Sequence, residues 1–196
     1  MTDFEIRGLV VSPRRRMDGR PGEGMAPFAQ DQARGPEHPQ TVEVRAGKGL
    51  VGDRYFNTRF AYAAVTFLAA EKVARLQDEI VGEGLFEPPN LPFDPLAARR
   101  NVVTTGLDVD ALVRTRFTID AGHGPIRFRS ITPANPCAWM NHVFAAGAHR
   151  ALRGHAGIRC EPLDDGWLSI GPARLLDVVE IPHDEMRRRV STAPIS

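Results

Sequence analysis

The chain is 196 residues long, enough for one well-cored domain and too short for two ordinary ones. Hydrophobic residues make up 42% and charged residues 25% of it, and a formal net charge of +1 gives no electrostatic case for a nucleic-acid or acidic-membrane partner. Two cysteines, Cys137 and Cys160, exclude a disulfide scaffold and fit a reducing cytoplasm.

The opening residues 1–5 lack a basic segment followed by an apolar one, so no signal peptide is expected. The most apolar stretch, 60–70, is too short and too polar to span a bilayer. A cytoplasmic protein is the expectation. Lys48 and Lys72 are the only lysines; every other basic residue is arginine. Guanidinium forks suit phosphate and carboxylate oxygens, although arginine-rich coding explains such a bias equally well.

In chain order, residues 4–11 alternate and are β-rich, which predicts a first strand. Residues 12–40 are rich in Arg, Pro and Gly, offer little to bury, and read as a long surface loop. Strand character resumes at 41–45. Gly47, Gly49 and Gly52 then crowd into six positions and signal turns. A strand at 63–67 is followed by a helix over 69–80, where Val73, Leu76 and Ile80 share one face and Gly82 with Gly84 ends it. A proline-studded connection over 86–95 leads to a strand at 100–104 and a helical turn at 108–113. Strands at 116–119 and 126–131 flank the Gly122–Pro125 turn, and in the second Ile126, Phe128 and Ser130 oppose Arg127 and Arg129. Residues 138–152 read as a helix, and turn-linked strands at 157–163, 167–170 and 173–181 close the chain. The expected class is mostly β (a β-rich α+β chain), with no βαβ alternation. The expected architecture is a closed or nearly closed barrel of about eight short strands with two or three peripheral helices.

Cys137 is the sharpest chemical feature. It follows Pro136 on a stiff connection between a strand and the expected helix. Amides at a helix N-terminus favour thiolate, the nucleophilic and metal-binding form, whereas a lone intracellular cysteine is more often a buried packing residue. Cys160 sits in an alternating segment and is expected in the core. Arg99, Arg100, Asn101, Thr104 and Thr105 gather guanidiniums, an amide and hydroxyls around a strand start, a set that binds phosphate or caps a loop. The Gly47–Asp53 segment lacks the Gly-Lys-Ser/Thr ending of a phosphate loop and the spacing of a dinucleotide fold. His142, His149 and His155 are not spaced as paired ligands and no CxxC exists, which disfavours a zinc site. No GxSxG elbow is present. A single-strand nucleic-acid groove is disfavoured by the 7% aromatic content.

Five segments in order resemble the MOSC (molybdenum cofactor sulfurase C-terminal) domain family. They are the glycine-rich run from Val44 to Phe56 with its Gly52-Asp53, the strand and helix holding Val65–Phe67 and Glu71, and Arg100–Val113. The Pro136-Cys137 pair and Arg153–Arg159 complete the set. The likeness spans about 40–180 and implies one MOSC domain over 1–196 in stand-alone form. Gly171-Pro172 departs from the family's Gly-Asp, and Arg153-Gly154-His155 from its Arg-Gly-Gly.

The resemblance implies a β-barrel with a molybdenum cofactor (molybdopterin) in the barrel mouth, and reduction of N-hydroxylated substrates. Cys137 would be catalytic and the protein's metal ligand. Arg100, Asn101, Thr104, Asp53 and Arg153, with amides around Gly49, would hold the pterin or its phosphate. An electron-transfer partner is then required. The alternative is a sulfur carrier without permanently bound cofactor: Cys137 would accept persulfide sulfur from a pyridoxal-phosphate cysteine desulfurase, docked on the arginine-rich stretch from Arg14 to Arg34.

Overall fold

The alternation in the sequence becomes ten strands in the computed structural model, which describes residues 1–17, 19, 21–22, 37–82, 91–182 and 184–185. They are β1 (Thr2–Leu9), β2 (Thr41–Arg45), β3 (Gly49–Leu50), β4 (Val65–Ala69), β5 (Val102–Thr105), β6 (Thr115–Asp120), β7 (Pro125–Pro133), β8 (Ile158–Pro162), β9 (Gly166–Ser169) and β10 (Gly171–Glu180). The helices are α1 (Ala70–Gly82), α2 (Met140–Val143) and α3 (Ala148–Ala151), besides three short 3-10 turns. Seven strands form a closed barrel in the order β1-β10-β6-β7-β8-β4-β5, and β1 pairs β5 to seal it. Closure removes the free edges that an open sheet would leave unpaired. β2, β3 and β9 make a separate three-stranded sheet.

Six of the seven barrel pairings are antiparallel; β4 and β5 run parallel, joined through α1. The chain therefore contains one strand–helix–strand crossover, where none was expected. It is isolated, so no repeating βαβ pattern marked it in the sequence.

The barrel interior is packed with side chains. Phe67, Phe117 and Phe128 meet there at centroid distances of 5.8, 5.3 and 5.6 Å, and all three are essentially inaccessible. Each buried ring contributes roughly 1.5–3 kcal/mol through burial. β4 has apolar residues on both faces: Phe67 points into the barrel, while Leu68 joins a second core beneath the helices. Val73, Leu76 and Ile80 of α1 pack into that second core with Phe93, Met140 and Phe144.

The helix expected over 138–152 is instead two single-turn pieces, α2 and α3. Val143, Phe144 and Ala145 are all buried in succession, and one side of a continuous helix cannot bury three consecutive residues. The chain leaves helical geometry after α2 and re-enters through Gly147, which is left-handed at φ 92°. Gly84 and the first part of the 86–95 connection lie outside the described residues. No helix among the described residues is long and apolar enough to cross a membrane.

Candidate functional site

The outer face of the barrel at β4 and β8 carries a polar cluster. Val65 and Phe67 point inward from β4, and Ile158 and Cys160 from β8, so Thr66 and Arg159 between them point outward. They are register partners across the two strands. Asn101, just ahead of β5, locks onto this face. Its Oδ1 accepts from the Thr66 amide at 3.0 Å and from Thr66 Oγ1 at 2.8 Å. Its Nδ2 donates to the Val10 carbonyl at 3.0 Å and to Asp53 Oδ2 at 3.1 Å. Asp53 also accepts from the amides of Ser12 (3.0 Å) and Tyr55 (3.0 Å). Asn101 and Asp53 are both buried, and these bonds satisfy their polar atoms.

Above this floor lies a cavity of about 230 Å³. Arg54, Arg99, Arg100 and Arg159 line it, with Tyr55, Phe60 and Tyr62 on the same rim. Arg99 is spoken for: it pairs with Glu37 at 3.2 Å and with the Ser12 hydroxyl. Burial pushes the Glu37 carboxyl up, but its hydrogen bonds and ion pairs with Arg16 and Arg99 outweigh this and hold it below the usual range. Burial in turn lowers the Arg99 guanidinium, which Glu37 partly restores. Arg54 lies over the Tyr55 ring at 4.8 Å. Neither Arg54 nor Arg159 has a carboxylate partner among the described residues.

Arg100 connects the cavity to the cysteine. Its Nε donates to the Ala156 carbonyl at 3.0 Å and its terminal nitrogen to the Asn135 carbonyl at 3.1 Å. One side chain thereby ties the Asn135–Cys137 loop to the segment ahead of β8. Desolvation pushes the Arg100 guanidinium down to about 10, although it keeps some surface exposure; the charge of Cys137 opposes the shift, and those of Arg159 and Arg54 add to it. Cys137 is exposed; it does not line the cavity but stands close enough to Arg100, which does, for their charges to interact. Its carbonyl accepts from the Met140 amide at 3.0 Å, but α2 behind it is only one turn long, too short for the helix dipole that the sequence reading invoked. The charged neighbour of Cys137 is Arg100 instead. Cys160 is buried in the barrel as expected, and burial raises its thiol far above the ordinary value.

Of the residues singled out in the sequence, Arg100, Asn101 and Asp53 come together around the cavity, and Cys137 is linked to it through Arg100. Thr104, Gly49 and Arg153 do not. Thr104 is fully buried between β5 and β4, its hydroxyl 3.5 Å from the Leu68 carbonyl. Gly49 serves packing: at φ 104° a Cβ there would stand 2.8 Å from Ala64 Cβ. Arg153 is exposed and lines a different cavity that shares no residue with the first. The barrel interior is filled by side chains, and the cationic cavity lies on the barrel's outer face.

Sequence reasoning missed Ser12, Thr66 and Arg159. Ser12 was assigned to a surface loop, yet it is 1% exposed and part of the floor. Beyond it, the inserted segment reaches the cysteine loop, where the Trp139 indole donates to the Gly19 carbonyl at 3.2 Å. The one available signal for Arg159 was its outward position in an alternating strand. Arg20 and Arg34 of the proposed docking stretch lie outside the described residues.

The MOSC domain family model matches residues 31–173 of the chain. The fold is similar to that of the YUAD protein from Bacillus subtilis, with a TM-score of 0.59 at 14% identity, covering 87% of this chain and 93% of that one. It is also similar to YiiM from Escherichia coli (TM-score 0.53, 17% identity, 98% and 80% covered) and YiiM from Geobacillus stearothermophilus (0.52, 15%, 89% and 75%). No curated protein matches in sequence. With the family model spanning most of its length and the barrel fold shared with these structures, the chain belongs to the MOSC domain family, which is associated with the molybdenum cofactor.

Proposed function

We propose that the chain binds a molybdenum cofactor on the outer face of its barrel and reduces N-hydroxylated substrates, with Cys137 as the protein's thiolate ligand to the metal. The observation that carries this reading is the exposed Cys137 thiol next to Arg100, a lining residue of a cavity into which Arg54 and Arg159 bring positive charge without a carboxylate partner among the described residues. The donor set fits the group. A metal delivered inside an organic chelate needs few protein ligands, thiolate suits a soft centre, and unpaired guanidiniums suit a phosphate.

When bound, the cofactor supplies two-electron oxygen-transfer chemistry. The chain's own residues bind and orient. Arg54 and Arg159 take the anionic end, Asn101 and Asp53 stiffen the floor under them, and Arg100 holds the loop that presents Cys137. Tyr55, Phe60 and Tyr62 form one wall of the opening. Reduction of a hydroxylamine consumes two electrons and two protons and releases water, so an electron-transfer protein is the required partner.

The exposure of Cys137 also favours the sulfur-carrier reading. There the Cys137 thiolate takes the terminal sulfur of a desulfurase persulfide and the desulfurase thiolate leaves, with no net oxidation.

Metal analysis after expression in a host competent for cofactor synthesis separates the two. Near-stoichiometric molybdenum in the wild type, lost in Cys137→Ala and reduced in Arg159→Gln, is expected. Wild-type protein without molybdenum sinks the cofactor reading, and persulfide trapping on Cys137 then decides for or against the carrier.

A further inference from the structure

A second cavity, of about 420 Å³, opens between α1 and α3 and shares no lining residue with the first. That volume falls within the range of small-molecule sites. Arg75, Arg150 and Arg153 line it, and none of the three has an ion pair or a side-chain hydrogen bond among the described residues. The cation nearest the core, Lys72, is already engaged by Asp108 at 3.2 Å and Asp110 at 3.3 Å. Glu79 stands one helical turn from Arg75 on α1 yet makes no ion pair with it. Among the described residues, three guanidiniums and the Lys72 held by Asp108 and Asp110 stand against the one Glu79 carboxylate of the lining, which His155 completes, so the lining carries net positive charge. Its floor is different: Leu76 and Ile80, both buried, supply apolar surface.

We propose that this cavity binds an organic dianion of the phosphomonoester class, with its charged end on Arg75, Arg150 and Arg153 and its apolar body over Leu76 and Ile80. Like-charged side chains converging without a counter-ion repel one another, and an anion placed among them relieves that repulsion. A tetrahedral phosphate offers three terminal oxygens in three directions to planar forks, against the two coplanar oxygens of a carboxylate. The site does not depend on the cofactor reading, because neither Cys137 nor any residue lining the first cavity takes part.

The test is amide NMR of the full chain titrated with phenyl phosphate, and separately with benzoate. Expected are saturable shifts at the amides of Gly147, Arg150 and Ala151, with a dissociation constant at or below about 1 mM. Benzoate should bind roughly tenfold more weakly or worse. Arg150→Gln/Arg153→Gln should abolish the shifts, while Arg159→Gln, in the other cavity, should leave them intact. Absence of shifts at these amides overturns the proposal. So does equal binding of benzoate, or equal loss in Arg159→Gln.

Discussion

Asn101 and Thr66 hold each other through reciprocal hydrogen bonds: the Asn101 amide donates to Thr66 Oγ1 at 2.9 Å, and that hydroxyl donates back to Asn101 Oδ1 at 2.8 Å. The pair joins the entry of β5 to the middle of β4, the two parallel neighbours of the barrel. It is also the floor of the cationic cavity, so fold and site share the same bonds.

Asn101→Ala strands several partners at once, among them the Thr66 amide, the Val10 carbonyl and one Asp53 oxygen. A loss of about 2–4 kcal/mol is expected, since buried groups left unpaired cost more than the bond alone. Thr66→Val removes fewer and should cost about 1–2 kcal/mol. Urea unfolding of both variants checks the order; equal or reversed losses would show that Asn101 is not the hub.

Gly157 sits between the carbonyl that anchors Arg100 and the start of β8. It is left-handed at φ 86°, and a Cβ there would lie 1.8 Å from the Phe67 carbonyl oxygen. Gly157→Ala therefore forces β4 and β8 apart and should cost roughly 3 kcal/mol or more. Soluble Gly157→Ala protein with an unchanged melting temperature would contradict the close approach.

The two thiols should separate cleanly by reactivity. Cys137 is exposed and Cys160 is buried among barrel side chains with its thiol held protonated. A thiol reagent should titrate one cysteine in the native protein and both in denaturant. Cys137→Ala should shift stability by no more than about 0.5 kcal/mol, as expected for an exposed side chain. Two reactive thiols in the native state would be the wrong result.

Glu37 makes acid stability depend on the segment 12–40. Its carboxyl titrates below its ordinary value of 4.5 in the folded chain, because the pairing with Arg16 and Arg99 outweighs the opposing effect of burial. The folded state thus releases this proton more readily than the unfolded state. The stabilisation is complete above 4.5 and is lost as pH falls through the lower folded value. Urea midpoints measured from neutral pH down into this acid window should fall, and fall less steeply in Glu37→Gln. Identical slopes would remove Glu37 from the acid transition.

The Pro136-Cys137 pair and the Arg100-Asn101 strand entry were legible because each carries unusual chemistry at a recognisable break in the pattern. Thr66 and Arg159 were not. Each looks like an ordinary polar residue on an alternating strand, and only the pairing of β4 with β8 makes them neighbours. Thr104 and Gly49 stand apart from the cavity for the opposite reason. They flank functional-looking residues in the chain, but strand alternation turns Thr104 inward, and Gly49 is there because Ala64 leaves no room for a side chain.

By itself the sequence determined most of the local elements: the alternating strands and the apolar stripe of Val73, Leu76 and Ile80 on α1. It also determined the family, since ordered motifs survive where overall identity does not. Only the tertiary structure decided that the barrel closes through β1 and β5, that α2 and α3 are separate, and that the cationic cavity lies outside the barrel. Periodicity reports which way a side chain faces along its own element. Which residues meet across elements depends on strand register and chain crossings, and these are set by long-range packing that no local pattern encodes.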